Sequence, residues 1–373
     1  MAAPQETFRR GRFDKGLLAA VFILVAAGMV MIYSSSSYSA YDKYDRPSHF
    51  VVQQLLGLVV GLVLMVVLMK VPQPVYRTPQ AVFGLLFVTF LLLIACFGMP
   101  TFANTNRLVV LGGFRFQPSE LAKISLVLFL AYMIDRKQDK LKGFRSVLLP
   151  LAGLLAMVLL IIKEPDYGTA ALVAATVLVV LVLGGMRVRL LFVLSLAAGL
   201  IFGVYLLSSH YRTERFLTFL FPDRDPMGSG FQIRQSRLAV GRGGLAGVSL
   251  GYSTQKLYFL PCAHTDFIYA IIGEEFGLLG TLGLLGGFLL ILWRGMVIAR
   301  RAPDVFSQIT AAGLTLMITG QALINISVVL GLGPVKGIPL PLVSYGRSSI
   351  ICTLLAVGIL LHISQRKAYA GNP

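Results

Sequence analysis

Acidic residues are scarce in this chain. Its 373 residues carry 16 Asp and Glu against 33 Lys and Arg, and charged residues of both signs make up only 13%. So little charge, with 56% hydrophobic residues and a mean hydropathy of +0.79, excludes an ordinary soluble globular protein. Cysteine is nearly absent. Cys96, Cys262 and Cys352 stand far apart in or beside apolar runs, with neither metal-ligand nor disulfide spacing, and read as small hydrophobes. His264 has no second histidine near it and no HExxH spacing, which disfavours a zinc site. No cleavable leader is evident: the first apolar run ends in Tyr33-Ser-Ser-Ser-Ser, yet it is long enough to span and further runs follow. Soluble domains, low-complexity linkers and internal repeats are missing too, and the lack of inverted repeats weighs against a transporter.

What the chain has instead is long apolar runs. Stretches of roughly 18 or more apolar residues are the signature of transmembrane helices. Ten are expected, at about 16–35, 49–69, 78–98, 118–134, 146–162, 167–184, 190–208, 266–292, 306–330 and 341–362. The expected fold is an all-α polytopic membrane protein of about ten transmembrane helices, forming one membrane domain over 16–362. Short tails flank it at 1–15 and 363–373, and a long extracytoplasmic loop, 209–265, separates spans seven and eight. With the N-terminus cytoplasmic, most Lys and Arg of the short connections fall inside: Arg9, Arg10, Arg12, Lys15, Lys70, Arg77, the group from Arg136 to Arg145, Arg187, Arg189, Arg294, Arg300, Arg301, Arg366 and Lys367. The outer short loops hold only Lys43, Arg46, Arg107, Arg115, Lys163 and Lys336. Both termini are therefore expected in the cytoplasm. The net charge of +17 reflects topology and anionic headgroups rather than nucleic acid.

The stretch from His210 to Gly280 organises the rest. It carries Arg212, Arg215, Arg224, Arg234, Arg237, Arg242 and Lys256, narrows to Leu260-Pro-Cys-Ala-His-Thr-Asp266, and then turns apolar. An ionisable group at the mouth of a span is expensive and marks a functional site by default. Pro261 breaks any upstream helix, so Asp266 is expected in the first turn of a new one, where the helix dipole would help keep its carboxylate ionised.

Other polar groups have two readings each. Glu120 and Lys123 stand three apart in Gln117-Pro-Ser-Glu-Leu-Ala-Lys123, on one helix face. They form either an interfacial ion pair or a phosphate-facing cation steadied by its glutamate. Asp166, after Pro165, reads first as a helix cap. Gly241-Arg-Gly-Gly-Leu-Ala-Gly247 matches no nucleotide motif and suggests a tight re-entrant turn beside a headgroup. Gln321 and Asn325 suggest interhelical hydrogen bonds. Ser344-Tyr-Gly-Arg-Ser-Ser349 forms a polar patch in the last expected span, where Arg347 must find a partner.

Four segments carry a resemblance: Gln117-Pro-Ser-Glu-Leu-Ala-Lys123, Asp225-Pro-Met-Gly-Ser-Gly-Phe-Gln-Ile-Arg-Gln-Ser236, the run from Gln255 through Asp266 to Glu275, and Pro334-Val-Lys-Gly-Ile-Pro-Leu-Pro-Leu-Val-Ser-Tyr-Gly346. In these, and over nearly its whole length, the chain resembles the SEDS family, the polytopic membrane proteins of bacterial wall synthesis. Gln255-Lys256 and Lys336 resemble the cell-division branch more than the elongation branch. The resemblance implies a peptidoglycan glycosyltransferase that polymerises lipid II at the outer face of the cytoplasmic membrane and works with a class B penicillin-binding protein. It implies that Asp266 is the essential carboxylate, and Glu120 and Lys123 match the family's pair. Three departures stand out: Cys262 where the family has Glu, Arg347 where it has Gly, and Ala103-Asn-Thr-Asn-Arg-Leu-Val109 where it has Asn-Gly-Ala-Arg-Arg-Trp-Ile.

The implied chemistry needs one carboxylate as general base on a sugar hydroxyl. The departing pyrophosphate needs no acid partner but does need cations. Candidates are Lys123, Arg212, Arg215, Arg234, Arg237, Arg242 and Lys336, with Glu120 and Ser344 beside the substrate and a divalent Mg or Mn ion as an added source of charge. His264, Asp166, Gln235 and Asn325 are expected in support. The rival readings are a lipid II flippase and a non-catalytic scaffold for the penicillin-binding protein.

Overall fold

The computed structural model describes residues 11–99, 107–111, 114–136, 144–186, 228–257, 259–335 and 337–366, with scattered positions between 189 and 221. Nine of the ten expected spans coincide with helices among these residues; the seventh, 190–208, lies largely outside them. The order is α1 (Lys15–Tyr44), α2 (His49–Lys70), a short α3 (Gln73–Arg77), α4 (Pro79–Ala95), α5 (Pro118–Arg136), α6 (Phe144–Lys163) and α7 (Tyr167–Leu183). Then come α8 (Ser229–Gly243), α9 (Ile268–Arg301), α10 (Val305–Val329) and α11 (Arg347–Ser364). α8 lies within the long loop expected at 209–265.

The all-α expectation needs one addition. A two-stranded antiparallel hairpin, β1 (Val109–Leu111) with β2 (Phe114–Phe116), leads into α5, pairing Val109 with Phe116. The last span also starts later than expected. Residues 341–346 remain loop, and Arg347 opens α11 with its guanidinium donating to Gln53 Oε1 at 2.9 Å.

α5, α10 and α11 form the protein-facing centre, whereas α2 and α4 are mostly exposed, as a lipid-facing wall would be. The difference traces to packing residues. Gly57 and Gly61 let α2 lie against α11: a Cβ at Gly57 would reach 3.3 Å from the Cα of Arg347, and one at Gly61 would reach 2.7 Å from a Leu354 methyl. Gly358 answers from the other side, 2.7 Å from the Met65 carbonyl by the same construction. Small residues at such a seam are how membrane helices approach closely. Both described ends lie on one face, since Gly11 N donates to Gln365 O at 2.6 Å.

α9 departs most from a simple span. It is broken at Gly277, with φ 63 and ψ −155, a backbone region reserved for glycine. The glycine-rich turn after α8 repairs the break. Leu278 and Leu279 donate to the carbonyls of Gly244 and Leu245, while Val248 and Ser249 donate to those of Glu274 and Glu275. The turn expected to sit beside a headgroup is instead stapled to a helix, because orphaned backbone groups at membrane depth must find partners within the protein.

Candidate functional site

Asp266 sits in the tight turn ahead of α9. Thr265 N and Phe267 N both donate to Cys262 O, at 3.1 and 3.4 Å. Cys262 itself is exposed and holds φ 58. The helix begins at Ile268 with Phe267 as its cap, so Asp266 precedes the first turn rather than lying in it. Its ionisation also departs from the expectation. Burial pushes the carboxyl up to about 7; attraction to Arg107 opposes this and repulsion from Asp166 adds to it. Desolvation outweighs the help of a helix end that the side chain does not reach.

Two side chains and one backbone N–H hold this turn against the loop that enters α11. Asn325 Nδ2 donates to Asp266 O and to Ile338 O, each at 2.8 Å. Ser344 Oγ accepts from Leu340 N at 2.9 Å and donates to Thr265 O. Tyr345 N donates to His264 O at 3.0 Å. Ser344, 4% exposed, was expected against substrate, but its hydroxyl proton is committed to a backbone carbonyl and it acts as a clamp. Gln321, expected to bridge helices, donates to Pro339 O at 2.9 Å in the same loop.

Glu120 and Lys123 join this network from α5. Lys123 Nζ is 2.9 Å from Glu120 Oε2 and bonds to Gln321 Oε1, with both charged side chains 3% exposed. The ion pair of the first reading is present, and Lys123 meets Glu120 and Gln321 rather than open space. Asp166 caps α7 through Thr169 N at 3.2 Å, and its other oxygen accepts from Gln117 Nε2 at 2.9 Å and Ser119 Oγ at 3.2 Å. His264 packs in an aromatic cluster with Phe50 and Tyr345, at 4.5 and 5.7 Å between ring centroids. Burial, then Lys43, lowers its pKa to about 4, so it is a neutral ring.

The loop arginines divide. Arg237 donates to the carbonyls of Leu330 and Gly331 at the end of α10, and Ser236 to that of Val329, so these two fasten α8. Arg242 bonds to Thr254 and lies 3.8 Å from Glu274. The structure gives Arg237 and Arg242 scaffolding contacts where pyrophosphate contacts were expected. Arg234 and Gln235 are half-buried on α8; Arg212, Arg215 and Lys336 lie outside the described residues.

The residue that sequence reasoning missed is Arg107. Its guanidinium donates to the carbonyls of Glu164, at 3.3 Å, and Pro165. It also flanks Asp266: a Cβ on Gly337 would stand 3.4 Å from Arg107 Nη1 and 3.5 Å from Asp266 Oδ2. The hairpin starting at Val109 fixes where Arg107 can reach. The signal was its place in the outer loop noted for departing from the family pattern, where the arginine survives. Glu164 was missed as well. It is fully buried beside the Cys96 thiol, and burial, then the charge of Asp166, raises it to about 8.

Among the described residues, no three His, Cys, Asp or Glu side chains converge as metal ligands. Asp166 already uses both oxygens as acceptors.

Comparison with known proteins bears on what this site does. Residues 15–369 match the model of the FtsW/RodA/SpoVE family, described as cell cycle proteins. A probable peptidoglycan glycosyltransferase FtsW of Trichlorobacter lovleyi is 40% identical over 369 residues, covering 96% of this chain and 95% of the relative. Stage V sporulation protein E of Bacillus subtilis is 39% identical, covering 95% and 98%. Among solved structures, a chain of a peptidoglycan synthase complex that coordinates polymerization and crosslinking superposes with a TM-score of 0.78 at 29% identity, covering 94% and 97%. The rod shape determining protein RodA of Thermus thermophilus does so at 0.69 and 28%, covering 94% and 96%.

Proposed function

The chain belongs to the FtsW/RodA/SpoVE family of cell cycle proteins, and on that footing we propose that it is a peptidoglycan glycosyltransferase polymerising lipid II with Asp266 as general base. The 4-hydroxyl of the acceptor GlcNAc attacks C1 of the donor MurNAc. Asp266 takes the hydroxyl proton, the C1–O bond to the prenyl diphosphate breaks, and the anomeric centre inverts from α to β. A positioned base of this kind contributes about 10²–10⁴-fold. A pKa raised to about 7 suits the task, because a base works best when its proton affinity lies near the working pH.

The leaving diphosphate departs as an anion and requires preorganised positive charge. Arg107 is the cation closest in role, since it acts directly on Asp266. Lys123 is too enclosed by Glu120 and Gln321 for a first contact, and its part is to stiffen the loop behind the base. Arg212, Arg215, Arg234 and Lys336 remain candidates for the diphosphate.

The observation that carries this reading is the Asp266 carboxylate, its backbone clamped by Asn325 and its charge matched by Arg107 across Gly337. Asp266 stands at the N-terminal end of α9, whose last turns reach Asp14 through Arg294, and the distribution of Lys and Arg supports a cytoplasmic place for that far end. The enzyme thus works at the outer face of the bacterial inner membrane. Its partner in wall synthesis is a class B penicillin-binding protein, the division rather than the elongation type. The flippase reading loses support, because Glu120 and Lys123 are 2% and 4% exposed and bonded to each other, leaving no open polar path beside them.

The test uses purified protein with its partner and labelled lipid II in detergent, where membrane sidedness vanishes. Wild type makes glycan chains, and Asp266→Asn makes them at least about 10²-fold more slowly. Undiminished polymerisation by the variant overturns the assignment.

A further inference from the structure

On the face that carries both described ends lies a feature that wall synthesis does not use. The segment from Gly11 to Asp14 runs as a strap beneath the bundle. Gly11 N donates to Gln365 O, and Asp14 N donates to Ser364 Oγ at 3.0 Å. The Asp14 carboxylate caps α1 through Leu17 N at 2.8 Å and takes a two-pronged contact from Arg294, with Nε at 3.0 Å. Between this strap and the last turns of α9 and α11 is a cavity of about 500 Å³. Its charged lining is Arg12, Lys15, Arg294, Arg301 and Arg366 against the single carboxylate of Asp14.

Two of the five cations are matched. Arg294 pairs with Asp14, and Arg366 pairs with Asp304 at 2.8 Å. Arg12, Lys15 and Arg301 have no carboxylate partner among the described residues. The C-terminal ends of α9 and α11 point carbonyls this way and contribute negative potential, so the positive field comes from the side chains alone. Like charges gathered round one hollow repel unless an anion sits among them. The rest of the lining, Phe13, Val297, Ile298 and Ile363, is apolar. The hollow thus offers both cations and an apolar part. Trp293, next to the lining residue Arg294, is 60% exposed, and Arg294 lies over its ring at 5.4 Å, in keeping with the preference of Trp for membrane interfaces.

We propose that this cavity binds a phosphate-bearing anion, the headgroup of an anionic phospholipid seated between the N-terminal strap, α9 and α11. A basic pocket between membrane helices has the chemistry for such a headgroup, and the apolar side accepts the glycerol and first acyl carbons. A free phosphate in solution shares the same charge chemistry without needing the apolar side.

Native mass spectrometry of the full chain, released from detergent with added dioleoyl-phosphatidylglycerol or dioleoyl-phosphatidylcholine, tests this. Wild type retains phosphatidylglycerol over phosphatidylcholine. The triple variant Arg12→Gln, Lys15→Gln, Arg301→Gln loses that retention by about tenfold. Two single variants keep the test valid should the triple fold poorly. Arg301→Gln weakens retention, whereas Arg300→Gln, the same charge change one residue outside the cavity lining, does not. Inorganic phosphate, added as competitor, assigns the source: no displacement means a lipid, and displacement means a soluble phosphate in the same cavity. Equal retention by wild type and the triple variant, or equal losses in Arg300→Gln and Arg301→Gln, overturns the proposal.

Discussion

Glu164 illustrates how a single buried group governs behaviour around the site. Its carboxyl is fully enclosed, and burial lifts it from an ordinary 4.5 to about 8. Between those values the folded protein holds a proton that the unfolded chain has released. This group's contribution to stability is therefore complete below about 4.5 and falls as pH rises towards about 8. Glu164→Gln, a neutral isostere, should gain thermal stability over wild type as pH increases, read by melting curves in detergent at acid and alkaline pH. A constant difference at both would contradict the assignment. Gly337 makes a second test at this scale. Alanine there meets Arg107 and Asp266 at ordinary contact distance, so it should leave folding intact. A leucine would wedge the two apart and reduce kcat more than it reduces stability. For Glu120 and Lys123, a double-mutant cycle on polymerisation rate should yield a coupling of about 0.5–3 kcal/mol; strict additivity would count against a shared network.

At the scale of elements, the long loop owes its shape to the break in α9. Glu274 and Glu275 flank it and are both buried. Glu275 binds Lys256 at 2.7 Å and Ser34 of α1, while Glu274 receives Ser253 and the backbone N–H groups of Thr254 and Gln255. The segment leading to Asp266 is therefore moored to α1 and α9 before it reaches the rim. Gly277→Ala would force a Cβ to within 2.5 Å of Gly247 N in a backbone region that disfavours side chains. The conformational strain alone is about 1–3 kcal/mol, and the fraction of monodisperse protein in size-exclusion chromatography should drop sharply. Normal yield would mean that the break is not needed. Removing one partner of the Lys256–Glu275 pair strands a buried charge at about 3–5 kcal/mol, so Lys256→Met should lower the melting temperature more than Lys256→Met with Glu275→Gln. The spans were legible because apolar runs must be helices in lipid. The break was not, since Gly277 looks like any other glycine in an apolar run until the turn at 243–249 docks on it. The hairpin escaped for a different reason: Val109–Leu111 and Phe114–Phe116 are three residues each, too short for alternation to register.

For the molecule as a whole, sequence patterning gave the class of fold and the position of Asp266, while the partners of that residue came from three-dimensional closure. Arg107, Asp166, Asn325 and Ser344 lie in separate connections and helices, and no periodicity links them. Their convergence is a property of the bundle. The same closure turned Ser344, Arg237 and Arg242 from expected ligands into fastenings, because their donors meet protein carbonyls, a hydroxyl and a carboxylate near at hand. In this mechanism Asp266 accepts a proton with an affinity set by burial working against Arg107. The pH dependence of kcat/KM for lipid II polymerisation in detergent, measured for wild type and Arg107→Gln, tests it most directly. Wild type should show an ascending limb centred near 7. Arg107→Gln removes the attraction that favours the carboxylate, so its limb should move to higher pH along with a lower plateau. A flat wild-type profile from about pH 5 to pH 9, or a limb that stays in place when the guanidinium is removed, would contradict the account.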